Sequence, residues 1–259
     1  MSSSKTPLVD RFGPDAADVE FGGDAPSLLG QLAARGSVRK FRSDAIPYRT
    51  LRRLSALALC APTKSDLQQR DIIIVDDAGL KQEILGPLTE GPIGQPWLAN
   101  VPALLVFCGN NRRQRLWHEW RGKPFANDHL DAFFNASVDA GIALTAFVLA
   151  AEAQKLGTCP ISVIRNRAAA VSELLHLPQH VFPVAGLAVG WPATAPKQSM
   201  RLPLDVTVHR NAYREDGLRE AIEDYDHRRE AAQPYREQRC VERFGKCEAY
   251  GWSEDKARQ

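Results

Sequence analysis

The run Arg35-Gly36-Ser37-Val38-Arg39-Lys40-Phe41 sets two guanidinium groups around a hydroxyl directly after a short apolar segment. Guanidinium forks and hydroxyls make charge-assisted hydrogen bonds to oxyanions, so the run can hold an anion with a polar ring beside it, or form a solvated basic turn. Three other polar segments carry complementary groups. Ala61-Pro62-Thr63-Lys64-Ser65-Asp66-Leu67-Gln68 separates a helix-like stretch from the apolar run Ile72–Val75. Gly94-Gln95-Pro96-Trp97 precedes Leu104–Cys108, and Lys197-Gln198-Ser199-Met200-Arg201-Leu202-Pro203-Leu204 follows Gly190-Trp191-Pro192. Thr63, Ser65 and Gln68 can donate and accept hydrogen bonds, whereas an ionised Asp66 only accepts. Gln95 offers one amide donor group and one carbonyl acceptor, either to a ligand or to its own proline turn. In Gly157-Thr158-Cys159-Pro160-Ile161-Ser162, Pro160 restricts the backbone. Cys159 lacks a local histidine and reads as a packed thiol rather than a nucleophile.

Competing chemistries find little support. The glycines Gly86, Gly91 and Gly94 do not form G-x-G-x-x-G between a strand and a helix, so a Rossmann dinucleotide site is not expected. His118-Glu119 lacks the second histidine of H-E-x-x-H, so no metal site is expected; with Trp117 and Trp120 it reads as an amphipathic surface helix or the mouth of a substrate site. The 33 basic and 31 acidic side chains leave a formal charge of +2, which gives no strong field toward nucleic acid or anionic lipid. The five cysteines, Cys60, Cys108, Cys159, Cys240 and Cys247, form no C-x-x-C pair, and reduced thiols in a cytoplasmic setting are expected.

The elements that must position these groups alternate between strand and helix. Ile72–Val75, Leu104–Cys108 and Val184–Val189 are short apolar runs bounded by Pro, Gly or Asp and read as strands. Helices are expected over Pro26–Ala34, over the Leu51, Leu54, Leu57, Ala58 repeat ending near Pro62, and over Ala78–Leu85. The long apolar stretch from Asp128 to Leu156 is interrupted by Asn135, Ser137, Asp139, Thr145 and Glu152. It therefore reads as a central helix between layers or between subunits, rather than a membrane span. From His209 onward charge is dense and mixed, as in a solvated helix with i,i+4 ion pairs.

Together the four segments resemble the FMN-dependent nitroreductase family over about residues 30–210, most closely the branch of NADPH flavin reductases and oxygen-insensitive nitroreductases. The resemblance implies an α+β fold: a mixed, mainly antiparallel central sheet flanked by helices, in an intertwined homodimer. Residues 1–24 would be a mobile arm, 25–210 the FMN-binding domain, and 211–259 a charged helical extension that can wrap the partner. Arg35, Ser37, Lys197 and Arg201 would hold the FMN phosphate, and Arg39 would approach the pyrimidine ring. Thr63, Ser65, Asp66 and Gln68 would contact the cofactor from the opposite subunit, Gln95 would orient the ring, and Pro160, Ile161 and Ser162 would lie against one flavin face, with Ile161 shielding it. Asp66 stands where relatives often have Asn, and Gly36 where they often have His or Arg. The implied activity is ping-pong hydride transfer from NADPH or NADH to a nitroaromatic, quinone or flavin. No side chain is assigned as acid or base, because the cofactor carries the chemistry. A specialised relative (reductive dehalogenase, flavin-fragmenting synthase or oxidative dehydrogenase) and a non-catalytic FMN-binding regulatory or storage protein are the alternatives.

Overall fold

The computed structural model describes residues 7–16, 28–91 and 94–259. Its helices run α1 Pro7–Phe12, α2 Leu28–Ala34, α3 Tyr48–Leu59, α4 Ala78–Leu85, α5 Arg112–Trp120, α6 Leu130–Glu152, α7 Ala168–Leu174, α8 Leu204–Thr207, α9 Leu218–Ala232, α10 Val241–Phe244 and α11 Trp252–Ala257. The strands are β1 Arg70–Val75, β2 Ala103–Asn110, β3 Gly157–Ile161 and β4 Val181–Gly190. The chain forms two compact units, one of residues 35–197 and one combining residues 1–34 with 198–259.

In the first unit the four strands lie in the order β1-β2-β4-β3, and every pairing is antiparallel. β2 is buried along its whole length, which explains why its sequence is a continuous apolar run rather than an alternating one. Period-two alternation divides it between two cores. Leu104, Val106 and Cys108 join Ile84, Leu85, Ile164 and Val171 on one face. Leu105 and Phe107 meet Leu51, Leu54 and Phe147 on the other. There the Phe107 and Phe147 rings meet edge to face at 5.9 Å.

The long helix α6 lies against that second face. Its buried side carries Ala132, Ala136, Asp139, Ala140, Ala143 and Phe147 at three- and four-residue spacing, and the alanines let the helix approach the sheet closely. Gly109 of β2 serves the same approach, since a Cβ there would meet the Phe182 ring at 2.5 Å and Ala136 at 3.2 Å. α6 is the one helix among the described residues long and apolar enough to cross a membrane, yet its buried stripe is spent on this core.

The expected strands appear, each longer than its apolar run. β4 begins before Val184 because Pro183 sits opposite Cys108, where the β2–β4 register shifts between Phe107 and Cys108; a bulge tolerates a residue without an N–H. The segment Gly157–Ile161, which was not among the expected strands, is the edge strand β3, paired with Gly190–Gly186. An edge position accommodates Pro160, since one side of the strand needs no ladder donor. Helix α7 had no counterpart in the sequence reading.

In the second unit, Tyr225 of α9 is buried and meets Trp252 edge to face at 5.3 Å. The mixed-charge tail from His209 onward folds into α9–α11. Arg219 and Glu223 make an i,i+4 pair at 2.9 Å, and the buried Arg258 donates to the carbonyls of Arg239 and Gly245. Of the expected N-terminal arm, residues 7–12 are helical, while residues 1–6 and 17–24, like Pro26 and Ser27 of the expected helix, lie outside the described residues.

Burial, helped by the negative charge of Asp71, pushes the Cys108 thiol up to about 12 from an ordinary value of 9.0. The folded protein keeps this proton where the unfolded chain releases it. The contribution to stability is therefore complete below the unfolded value and is lost as pH rises toward the folded one, at up to about 1.4 kcal/mol per pH unit. Urea denaturation across that alkaline range is expected to show a steeper loss of stability in the parent protein than in Cys108→Ala; equal slopes would exclude Cys108 as the source.

Candidate active site

The stretch from Arg35 to Arg42 runs beside the ends of β3 and β4. Val38 N donates to Thr158 O at 2.9 Å, Arg42 N donates to Trp191 O at 2.8 Å, and Phe41 bridges Pro192. Extended backbone sends successive side chains to opposite sides. Gly36 and Val38 are buried, while Arg35, Ser37 and Arg39 are more accessible, so the three candidate ligand groups share one side. The inward positions are tight. A Cβ at Gly36 would collide with the Lys197 carbonyl, and one at Gly157 would meet Val38 at 2.7 Å. Gly36 is thus a point of close backbone approach, which accounts for the missing side chain at that position.

Arg35 forks onto Glu152 at the end of α6, with Nη2 donating to Oε1 at 3.0 Å and Nε to Oε2 at 3.3 Å. Thr158 Oγ1 donates to the same Oε1 at 2.9 Å. The Arg39 guanidinium lies 6.0 Å from the centre of the Trp97 ring, and Trp97 Nε1 donates to Gln95 Oε1 at 3.1 Å. The amide oxygen of Gln95 is therefore engaged internally, leaving its amide nitrogen as the donor for a ligand.

Cys159 lies beneath this group and is 1% exposed. Burial pushes its thiol up, against the opposing influence of Arg39, a hydrogen bond with Ser37, and Arg35. It is a packed, protonated thiol, as its surroundings in the sequence suggest. Pro160 is exposed, but Ile161 is 1% exposed within the core formed with Ile164 and Ala188. The expectation that the Ile161 side chain shields a flavin face is therefore corrected. Strand alternation turns Ile161 into the core, and Pro160 is the outward residue. Ser162 is exposed and opens the turn Val163–Arg167; Lys197 is also exposed.

The segment Thr63–Gln68 lies elsewhere on the same unit. Ser65, Asp66 and Gln68 all have positive φ, at 47°, 56° and 51°. Gln68 Nε2 donates to Asp66 Oδ1 at 3.1 Å, and Gln68 N reaches Thr63 Oγ1 at 3.4 Å. The loop is held by Asp139 of α6, which accepts from Lys64 N and Gln69 N, each at 3.0 Å. Asp139 and the Arg35 partner Glu152 are thirteen residues apart on α6, or about 20 Å along the helix. One chain therefore brings Arg35, Ser37, Arg39, Gln95 and Pro160 to one end of α6 and holds Thr63, Ser65, Asp66 and Gln68 well away from them.

Arg201 belongs to the second unit. There its N donates to Arg11 O at 2.8 Å and its Nη1 to Ser199 Oγ at 2.6 Å, and the residue is exposed. No cluster of three or more His, Cys, Asp or Glu suited to a metal occurs among the described residues. His118 of α5 meets the Pro124 carbonyl at 2.9 Å and stacks edge to face on Phe125, beside the exposed Trp120.

Asp139, Glu152 and Arg70 escaped the sequence reading as functional residues. The available signal was a carboxylate set among small residues at helical spacing, as in Ala136, Asp139, Ala140 and Ala143, since a charge on a core stripe requires a buried partner.

Comparison with known proteins agrees with this geometry. The Nitroreductase family model matches residues 32–191, and that of the Nitroreductase family, C-terminal domain, matches 199–259. The chain is 32% identical over 204 residues to the FMN reductase [NAD(P)H] of Bacillus subtilis, covering 77% of this chain and 80% of that one. It is 34% identical over 183 residues to the oxygen-insensitive NADPH nitroreductase of Salmonella typhimurium, covering 70% and 72%. The structure of NfrA2 from B. megaterium superposes with a TM-score of 0.78 at 31% identity, covering 89% of each chain. That of NADPH:FMN oxidoreductase from Vibrio harveyi complexed with NAD+ gives 0.73 at 28% identity, also covering 89% of each. With both family models matched end to end across the sheet, the Arg35–Arg39 stretch and the C-terminal tail, this chain belongs to the nitroreductase family.

Proposed function

We propose that the protein is an FMN-dependent NAD(P)H oxidoreductase that passes two electrons, in a ping-pong cycle, to a nitroaromatic, quinone or flavin acceptor. The observation that carries this reading is the extended stretch in which Arg35, Ser37 and Arg39 face one way beside Gln95 and Trp97, in a chain of this family. The residues fit FMN: two guanidiniums and a hydroxyl suit a phosphate and an electron-accepting ring, and the amide nitrogen of Gln95 suits a ring carbonyl. Bound FMN would supply the hydride-accepting ring that alternates between nicotinamide and acceptor.

The protein's own groups then have distinct tasks. Arg35, held by Glu152, and Ser37 bind and orient the phosphate, and Lys197 adds a cation near the same end. Arg39 would hold a fixed positive charge toward the pyrimidine end of bound FMN, which would favour its reduced form. Pro160 supplies a rigid apolar surface beside the ring. Thr63, Ser65, Asp66 and Gln68 serve the cofactor of a second copy, which the distance of about 20 Å along α6 supports.

That second copy covers the outer side of α6. Leu130, Phe133, Phe134 and Val138 are 78%, 54%, 61% and 41% exposed, and a groove of about 470 Å³ lined by Ala61, Ile142, Ala146 and Leu149 continues the apolar surface. All five cysteines are free, which supports a reducing, cytoplasmic setting.

Anaerobic mixing of the FMN-loaded protein with NADPH or NADH is expected to bleach the flavin, and a nitroarene, quinone or free flavin to restore its colour. A folded protein that fails to bind FMN, or binds it without bleaching, would refute the activity. Arg39→Gln is expected to lower the flavin potential and slow anaerobic reduction about tenfold, equivalent to about 1.4 kcal/mol of transition-state stabilisation; wild-type values of both would make Arg39 a bystander. Ile142→Glu should yield monomers by sedimentation and weaken FMN retention at least about tenfold, because an unpaired charge in an apolar interface costs several kcal/mol. A dimer with unchanged FMN affinity would move the interface elsewhere.

A further inference from the structure

We infer that Asp139, together with Arg70, is the positioning device for the cofactor-contact loop, fixing the shape in which Thr63–Gln68 meets FMN. This rests on the functional reading above and extends it to residues that do not themselves reach the cofactor. Three of the six loop residues, Ser65, Asp66 and Gln68, occupy left-handed backbone conformations, which Asp tolerates but Ser and Gln disfavour. A loop of that shape opens unless something outside it holds it closed.

Asp139 does so with both carboxylate oxygens. Oδ1 accepts Lys64 N and Oδ2 accepts Gln69 N, each at 3.0 Å, so one side chain pins the loop at both ends. The carboxylate is fully buried, where an unpaired charge would be strongly unfavourable and each backbone bond correspondingly important. Arg70 completes the clip from the following strand. It is 5% exposed and donates to the carbonyls of Leu59, Ala61 and Pro62 at 2.9, 2.6 and 2.8 Å. These are the last carbonyls of α3 and the entry to the loop, groups that a helix end leaves without intrahelical partners. Burial lowers the Arg70 pKa and the charge of Asp139 opposes that, as expected of two ions that stabilise each other across the loop base.

All five bonds go to backbone atoms. The base of the loop is thus clamped by α6 and β1, while within the loop Thr63 Oγ1 accepts from Gln68 N and the Gln68 amide donates to Asp66. Asp139 also ties the loop to the helix whose outer side carries the exposed apolar residues, so a displacement of α6 is transmitted to the loop through two short hydrogen bonds.

The test uses Asp139→Asn, which keeps the shape but offers one backbone N–H an amide nitrogen in place of an oxygen. Three quantities are measured: the rate of tryptic cleavage at Lys64–Ser65 without FMN, the FMN dissociation constant by flavin fluorescence, and the flavin potential at saturating FMN. Cleavage about tenfold faster and FMN binding about tenfold weaker, with the potential unchanged, is expected from a loosened loop. In a Gln68→Ala background the same substitution should weaken FMN binding less, because a loop already missing its contact has less to lose. A folded Asp139→Asn protein with wild-type cleavage and wild-type FMN affinity overturns the assignment, as does full additivity with Gln68→Ala. If Asp139→Asn does not fold, Arg70→Lys, which keeps the charge but cannot fork to three carbonyls, must show the same faster cleavage and weaker binding, or the assignment fails. Failure of the unsubstituted protein to bind FMN removes the functional reading instead, and the titration shows this before any variant is compared.

Discussion

The geometry of this protein follows from the need to satisfy two carboxylates carried by one apolar helix. Asp139, buried, and Glu152, partly buried, both lie in α6, whose other inward residues are mainly alanine. A carboxylate taken out of water is tolerated only with strong donors around it. Asp139 obtains two backbone amides from the loop before β1, and Glu152 obtains the Arg35 fork and the Thr158 hydroxyl. Both partner segments are polar, lie far from α6 in sequence, and are exactly the type of chain that would otherwise wander over the surface. The helix therefore acts as a ruler with polar contacts at two marks, and the candidate ligand residues are distributed about those marks.

The sheet supplies the second constraint. The Arg35–Arg42 stretch is extended because its backbone bonds to Thr158 and Trp191 at the ends of β3 and β4. Once it is extended, alternation alone sorts arginine and serine to one side and glycine and valine to the other. The absence of a side chain at Gly36 and Gly157 lets the strand edge and the loop before the second unit close on that stretch. Here a sequence motif with Arg, Ser and Arg at every second position is the direct image of a backbone conformation, and that is why it can be recognised without a structure.

What was legible in the sequence follows the same division. Apolar runs such as Ile72–Val75 and Leu104–Cys108 are legible as strands because they are short, rich in β-branched and large side chains and bounded by turn residues; the second is fully buried and the first mostly half-buried. β3 was illegible because Gly157 and Pro160 make two of its five residues poor strand formers, and only its position at the sheet edge makes them acceptable. The resemblance placed Ile161 at a ligand face, whereas the alternation of that strand turns it into the core. Arg35, Ser37 and Arg39 were legible as a group, whereas their partner Glu152 was not, because long-range pairing leaves no local signature. In Asp139 and Glu152 the sequence displayed charges that interrupt an apolar helix. Their meaning emerges only when the donors arrive from residues 64, 69 and 35.

The polar inner contacts and the apolar outer surface of α6 answer different needs with one element. Residues buried toward the sheet fix the helix in its own chain, and Asp139 at that boundary fixes the loop, while Phe134 and Leu130 remain exposed. A side chain of that size left in water sacrifices roughly 1.5–3 kcal/mol of burial, so an exposed row of them on a core helix favours association over solvation. Association on that surface would bring loops shaped by one copy's α6 toward the basic stretch of another. Affinity for the cofactor would then depend on the rigidity of a helix that never touches it.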